Sequence, residues 1–115
     1  MSKTELAWAA GFFDGEGWVG TDAVSKSGGM YLRVYVPQKF RRVLDRFQKA
    51  VGVGKVNGPH KHGPGRSFQF QCSASGDVKT IFTKLKPYLD QIKTRQFEDA
   101  IKCWNNRVTK TKRRI

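Results

Sequence analysis

Apolar positions along this chain follow two rhythms, and the switches between them predict its elements. Leu6, Ala7, Trp8, Ala9, Ala10, Phe12 and Phe13 form a nearly continuous apolar stretch with hardly a polar face, which predicts a helix buried on most sides. Ser2 and Glu5 ahead of it have the spacing of a capping box, and Gly15 and Gly17 end it. Ala7 and Gly11 are four residues apart, so they share a face and leave room for another backbone. The period then drops to two. Residues 18–25 read as extended and 26–30 as a glycine turn. Over 31–38, Leu32, Val34 and Val36 point one way while Tyr31, Arg33 and Tyr35 point the other. Pro37 has no N–H to donate and is expected to end regular pairing.

Helical spacing returns with Val43, Leu44, Phe47, Ala50 and Val51, stopped by Gly52. Residues 54–57 and 66–73 read as two more strands around a Gly/Pro/His loop, with Phe68, Phe70 and Cys72 alternating with Gln69 and Gln71. Val78, Ile81, Phe82, Leu85 and Leu89 mark a helix whose last turn Pro87 disturbs. Phe97, Ala100, Ile101, Trp104 and Val108 mark a final helix that runs into a basic end, expected to fray over about 109–115. The order is helix, two strands, helix, two strands, helices. With no internal repeat and no linker, 1–115 reads as a single α+β domain.

Charge adds a partner to this picture. Twenty-two Lys and Arg against nine Asp and Glu leave a net charge of +13, which predicts a polyanion such as DNA, RNA or an acidic surface. Cys72 and Cys103 are too few for a disulfide framework or a cysteine-rich zinc site and read as small, reduced, mostly buried side chains. No apolar run approaches the ~20 residues that span a bilayer. No secretory signal is visible, so an intracellular, cytoplasmic setting is expected. The polar strand face carries Tyr31, Arg33, Tyr35, Gln69 and Gln71, with Asp22 and Lys26 beside them. Such a face either meets water or reads a DNA groove, where Arg pairs with guanine and Gln with adenine. Lys39, Arg41, Arg42, Lys55 and Arg66 complete the residues expected to touch DNA.

Asp14 and Glu16 are the chemical puzzle. A helix C-terminus is partly negative, so carboxylates there are disfavoured and need a positive group nearby: a Lys, an Arg or a metal ion. Carboxylate, carbonyl and water oxygens are the donor set of Mg²⁺. A Gly-rich turn with two solvated acids is the plain alternative, and the spacing alone does not decide against it.

The stretch Ala9-Ala10-Gly11-Phe12-Phe13-Asp14-Gly15-Glu16-Gly17 resembles the signature of the LAGLIDADG homing endonucleases, with Ala in place of Leu at the first position. The resemblance continues through 36–56, which looks like the family's second strand and following helix, and 85–96, which looks like its segment before the last helix. It implies an αββαββα fold with a four-stranded antiparallel sheet set on DNA under its helices. It implies that single-motif chains act as homodimers, motif helix against motif helix, with Ala7, Ala10 and Gly11 allowing close contact. Each Glu16 would lie at the base of that interface over the minor groove. Glu16 and the Gly15 carbonyl would bind the metal, and Asp14 would cap across the helix pair or support the site. Gln38 resembles the polar residue that orders water. Lys93 resembles the basic residue that steadies developing charge, with Arg95 as the other choice, and Arg41 or Arg42 would contact a scissile phosphate. Mg²⁺ is the implied cofactor, with Mn²⁺ expected to substitute and Ca²⁺ to bind without supporting cleavage.

The reading is thus a homodimeric, metal-dependent, site-specific DNA endonuclease acting on a long pseudo-palindrome. Its rivals are an RNA maturase or DNA-binding regulator on the same fold without cleavage, and a basic structural nucleic-acid binder. His60 and His62 lack a third ligand at a recognisable spacing and read as a loop near the DNA backbone. Trp18 either stacks on a base or packs beside the sheet, and packing is the plainer reading; Trp8 and Trp104 read as core or interface.

Overall fold

The computed structural model describes residues 2–23, 30–62 and 65–113, with the side chains of 23, 61, 62 and 107–113 outside that description. Its elements run α1 (Lys3–Glu16), β1 (Trp18–Ala23), β2 (Met30–Gln38), α2 (Arg41–Val51), β3 (Lys55–His62), β4 (Gly65–Cys72), α3 (Ser75–Leu85) and α4 (Gln91–Arg113). A 3₁₀ turn over Lys86–Tyr88, with Pro87 inside it, separates α3 from α4. The glycine turn and Lys26 lie outside the described residues.

The strands form one antiparallel sheet in the order β1-β2-β4-β3. The order helix, two strands, helix, two strands, helices is the one the pattern predicts, and the αββαββα arrangement, with α4 following, and the antiparallel sheet are those the resemblance implies. The period-two alternation explains the layering. Leu32, Val34, Val36 and Phe70 are fully buried on the face the helices cover, while the alternate residues stay outward. Phe13, Phe47, Phe70 and Phe97 link α1, α2, β4 and α4 into one core. Phe47 meets Phe70 edge-on at 4.9 Å between ring centroids, and Phe13 meets Phe97 at 5.3 Å. Each fully buried ring contributes about 1.5–3 kcal/mol relative to exposure, which ties the catalytically suggestive end of α1 to both the sheet and the last helix.

Three local features depart from expectation. α1 is not buried on most sides: Ala9, Ala10 and Phe13 are buried, but Ala7, Gly11 and Gly15 form an exposed stripe. Pro37 does not end pairing. β2 runs on to Gln38, with Pro37 opposite Gln69, because β1 begins opposite Tyr35 and leaves β2 an open edge there. Residues 58–62 of the Gly/Pro/His segment belong to β3, with a register shift between Asn57 and His60, while 63–64 lie outside the described residues. β3 is an edge strand, where proline removes no interior ladder bond.

The helix ends follow local chemistry. Ser2 caps α1 by accepting the Glu5 N–H at 3.1 Å, but Glu5 does not complete the capping box. Its carboxylate takes a two-pronged bond from Arg46 of α2, at 2.8 and 3.0 Å, and the Arg46 guanidinium lies 3.9 Å from the Trp8 ring centroid. Gly52 ends α2 with φ of 78°, a left-handed conformation that glycine adopts without a Cβ penalty. α4 continues to Arg113, so residues 109–113 extend the helix rather than forming a separate tail. Cys72 is buried and Cys103 is exposed, so only one thiol meets the expected burial.

Candidate functional site

The site is built where α1 ends against the start of α4. Gly17 leaves the helix in extended conformation while its N–H still bonds the Phe13 carbonyl at 2.8 Å. A Cβ at Gly17 would collide with the Phe13 ring, so only glycine lets the chain turn this tightly into β1. Gly15 differs: a Cβ there would meet nothing within 4 Å. Among the described residues no contact demands that glycine.

The first turn of α4 supplies the missing positive charge. Both Asp14 carboxylate oxygens accept the Asp90 N–H, at 3.1 and 3.2 Å. Asp90 in turn accepts the Ile92 N–H at 3.3 Å, which makes it the cap of α4. Asp14 therefore answers the partly positive start of one helix while sitting near the partly negative end of another. Lys93 Nζ donates to the Gly17 carbonyl at 2.6 Å, so an ammonium stands just beyond the end of α1. Glu16, the last residue of α1, is exposed and has no hydrogen bond or ion pair among the described residues.

Gln38 ends β2, the strand that pairs with β1, and β1 starts at Trp18 opposite Tyr35, two residues after Glu16. Gln38 lies on the pleat of Val34 and Val36, facing the helices where the core ends, and is half-buried. Lys93 thus reaches the turn that follows Glu16 at the end of α1. Arg95 is exposed on the side of α4 that, with Leu89, Ile92 and Asp99, lines a shallow groove of about 600 Å³. Of the two basic residues, Lys93 is the one that bonds the Gly17 carbonyl.

The outward face of the sheet is polar and already paired. Arg33 Nη1 donates to Asp22 at 3.0 Å, and its guanidinium lies 4.8 Å from the Tyr35 ring centroid. Gln71 donates to Gln69 at 2.7 Å. Tyr31 stands opposite Asp22, and Lys55 opposite Gln71, so all of these share one face.

No protein-family profile and no curated protein sequence matches the chain. Solved structures do. The homing endonuclease I-CvuI bound to an I-CreI target in Mg²⁺ aligns at 26% identity with a TM-score of 0.74, covering 90% of this chain and 67% of that one. A second I-CvuI complex, with its own target in Ca²⁺, aligns at 24% identity and TM-score 0.76, covering 94% and 70%. The LAGLIDADG meganuclease I-CpaMI, bound to uncleaved DNA, aligns at 26% and TM-score 0.66, covering 91% of this chain but 38% of that one. The chain has the fold of the LAGLIDADG homing endonucleases.

Within that fold the signature nonapeptide is the second half of α1 with the turn that follows. Several positions expected to act need correction. Ala10, expected at a helix-pair contact, is fully buried inside the protomer, because it lies toward Phe13, about 60° round the helix from Ala7 and about 100° from Gly11. Arg66 is on the opposite pleat from Gln69 and Gln71, so it is not on their face, although it is exposed. Lys39, Arg41 and Arg42 are exposed at the end of β2, and Arg41 is drawn to Asp45 at 3.5 Å. Asn57, not anticipated, stands opposite Gln69 and extends the polar face of this LAGLIDADG sheet. Asp90 was also missed, although an Asp just before a predicted helix is itself a cap signal. Among the described residues no three His, Cys, Asp or Glu side chains converge, and His60 stands opposite Ser67 as part of β3. No described helix is long and apolar enough to cross a membrane.

Proposed function

We propose that this protein is a site-specific DNA endonuclease that hydrolyses both strands of a long pseudo-palindromic duplex as a homodimer. The observation that carries the reading is the exposed Glu16 carboxylate at the tip of the motif helix, one residue before the Gly17 carbonyl that Lys93 bonds.

The donors fit a hard divalent cation. Glu16 offers a carboxylate that no side chain of the protomer occupies, and the Gly15 carbonyl, so near the helix end, has no residue four ahead within α1 to bond it. These are oxygen donors of the kind Mg²⁺ takes, and they are too few for a cage, which suits an ion also held by water and phosphate. When bound, such an ion supplies an activated water and charge stabilisation at the scissile phosphate. Mg²⁺ and Mn²⁺ are the cations expected to support cleavage, and Ca²⁺ to support binding. Lys93 holds its ammonium at the end of α1, where it offsets negative charge developing on phosphate oxygens. Gln38, half-buried at the end of β2, is the amide expected to orient water. Asp14 positions: its bond to Asp90 fixes α4, and with it Lys93, against the motif helix.

Dimerisation through α1 is supported by the exposed stripe of Ala7, Gly11 and Gly15. Glycine inside a helix costs about 1 kcal/mol relative to alanine, and among the described residues neither Gly11 nor Gly15 has a neighbour that would exclude a Cβ. A second helix lying close along this stripe accounts for both. The outward sheet face, with Arg33, Tyr35, Lys55, Gln69 and Gln71, then meets the major groove, and the net charge of +13 favours its approach.

The test is selection of bound duplexes from a randomised library in Ca²⁺, followed by transfer to Mg²⁺. Double-strand scission at the centre of the selected sequence supports the reading. A selected duplex that stays intact in Mg²⁺ and Mn²⁺ contradicts it and favours a regulator or maturase.

A further inference from the structure

The polar face of the sheet carries one large residue that hydrogen bonding does not explain. Trp18 opens β1 on the outward pleat, opposite Tyr35, and remains 42% exposed. Its neighbours are already engaged with one another: Arg33 with Asp22 and the Tyr35 ring, Gln71 with Gln69. The indole lies over Gly20, where a Cβ would come within 2.6 Å of Trp18 Cζ2. Glycine inside a strand is unfavourable and marks a place of close approach. Here the approaching group is the ring itself. The main chain of Gly20 seats the indole from below, and much of the ring is left open above.

We propose that Trp18 makes the innermost base contact of each half-site, packing its ring on the C5-methyl group of a thymine in the major groove. This rests on the DNA-cleaving reading above. Trp18 is two residues from Glu16, so the two lie at most about 7 Å apart along the chain. Base pairs repeat at about 3.4 Å, so the contact falls at the inner end of the half-site, within a few base pairs of the scissile position. The thymine methyl is the apolar feature of the major-groove code, and a seated aromatic ring is its complement. Gly20 cannot read a base, so the ring takes over the surface that a side chain there would have offered.

The full chain, Trp18→Ala and Trp18→Phe are compared by duplex selection in Ca²⁺, with circular dichroism and thermal melting confirming each fold. The unmodified protein should enrich thymine at the inner position of both half-sites. Trp18→Ala should lose that preference alone and keep the outer ones, while Trp18→Phe keeps part of it. Replacing the inner thymine with deoxyuridine removes only the methyl group. It should weaken binding by the unmodified protein about fourfold, the burial of one methyl-sized group, and leave Trp18→Ala unaffected. An inner preference that survives in Trp18→Ala, or an equal uracil effect in both proteins, overturns the proposal. Should Trp18→Ala fail to fold, a uracil effect as large in Trp18→Phe as in the unmodified protein overturns it. If the unmodified protein enriches no sequence, the DNA reading itself falls, a result distinct from the loss of this contact alone.

Discussion

Lys93 Nζ donates a 2.6 Å hydrogen bond to the Gly17 carbonyl, which places an ammonium one residue beyond the free carboxylate of Glu16. The bond ties the first turn of α4 to the turn between α1 and β1. It gives Lys93 two consequences that can be separated, one for the stability of the turn and one for chemistry at the helix tip.

Lys93→Met should lower single-turnover cleavage of a selected target by about 10²-fold or more, the range for removing a positioned charge from a site. Binding in Ca²⁺ should change only a few-fold. Arg95→Met, on the other side of α4, should leave cleavage within about threefold. Equal losses in the two variants would remove Lys93 from the site.

Asp14→Ala removes the acceptor of the Asp90 N–H and should cost about 0.5–2 kcal/mol, the range for losing a helix cap. Urea unfolding at neutral pH measures it. Asp14→Asn keeps an acceptor oxygen and should recover part of the loss. If both variants match the unmodified protein, the carboxylate does not anchor α4.

Gly11→Leu separates the protomer from its proposed assembly. The open space at Gly11 means the folded protomer tolerates the side chain, so far-ultraviolet circular dichroism should be unchanged. Sedimentation equilibrium should show a shift to monomer, with cleavage lost. A dimer of unaltered affinity would move the interface away from α1.

The Arg46 guanidinium holds the Glu5 carboxyl below its ordinary value of 4.5, chiefly through the hydrogen bond between them. A carboxylate whose pKa is depressed on folding stabilises the fold above its unfolded value. That contribution fades as pH falls through the folded value. Thermal melts between pH 6 and pH 3 should therefore fall less steeply in Arg46→Met than in the unmodified protein. The same slope in both would mean the pair is fully screened by water.

Much of this architecture was legible because alternation and helical spacing are local. Leu32, Val34 and Val36 disclosed β2, and Val43 to Gly52 disclosed α2 with its stop. The end of α1 could be singled out because two acids at a helix C-terminus are electrostatically misplaced. What answers them was not legible. Asp14 to Asp90 and Lys93 to Gly17 each join residues 76 apart, and nothing local fixes such a pairing. Glu5 spacing suited a capping box, yet the Arg46 guanidinium offered a charged, two-pronged partner that outcompeted a backbone N–H. Ala10 looked equivalent to Ala7 because small residues carry no sign of which way they face. Pro37 and Pro59 suggested breaks because a sequence does not say which strand edges are open.

The most direct measurement is Mg²⁺-dependent cleavage of a selected, bound duplex by Glu16→Gln beside the unmodified protein. Removing the carboxylate charge while keeping its shape should leave Ca²⁺-supported affinity within a few-fold and reduce strand scission by at least about 10³-fold. Scission at an undiminished rate in Glu16→Gln would contradict the assignment of the helix tip as the cleaving centre.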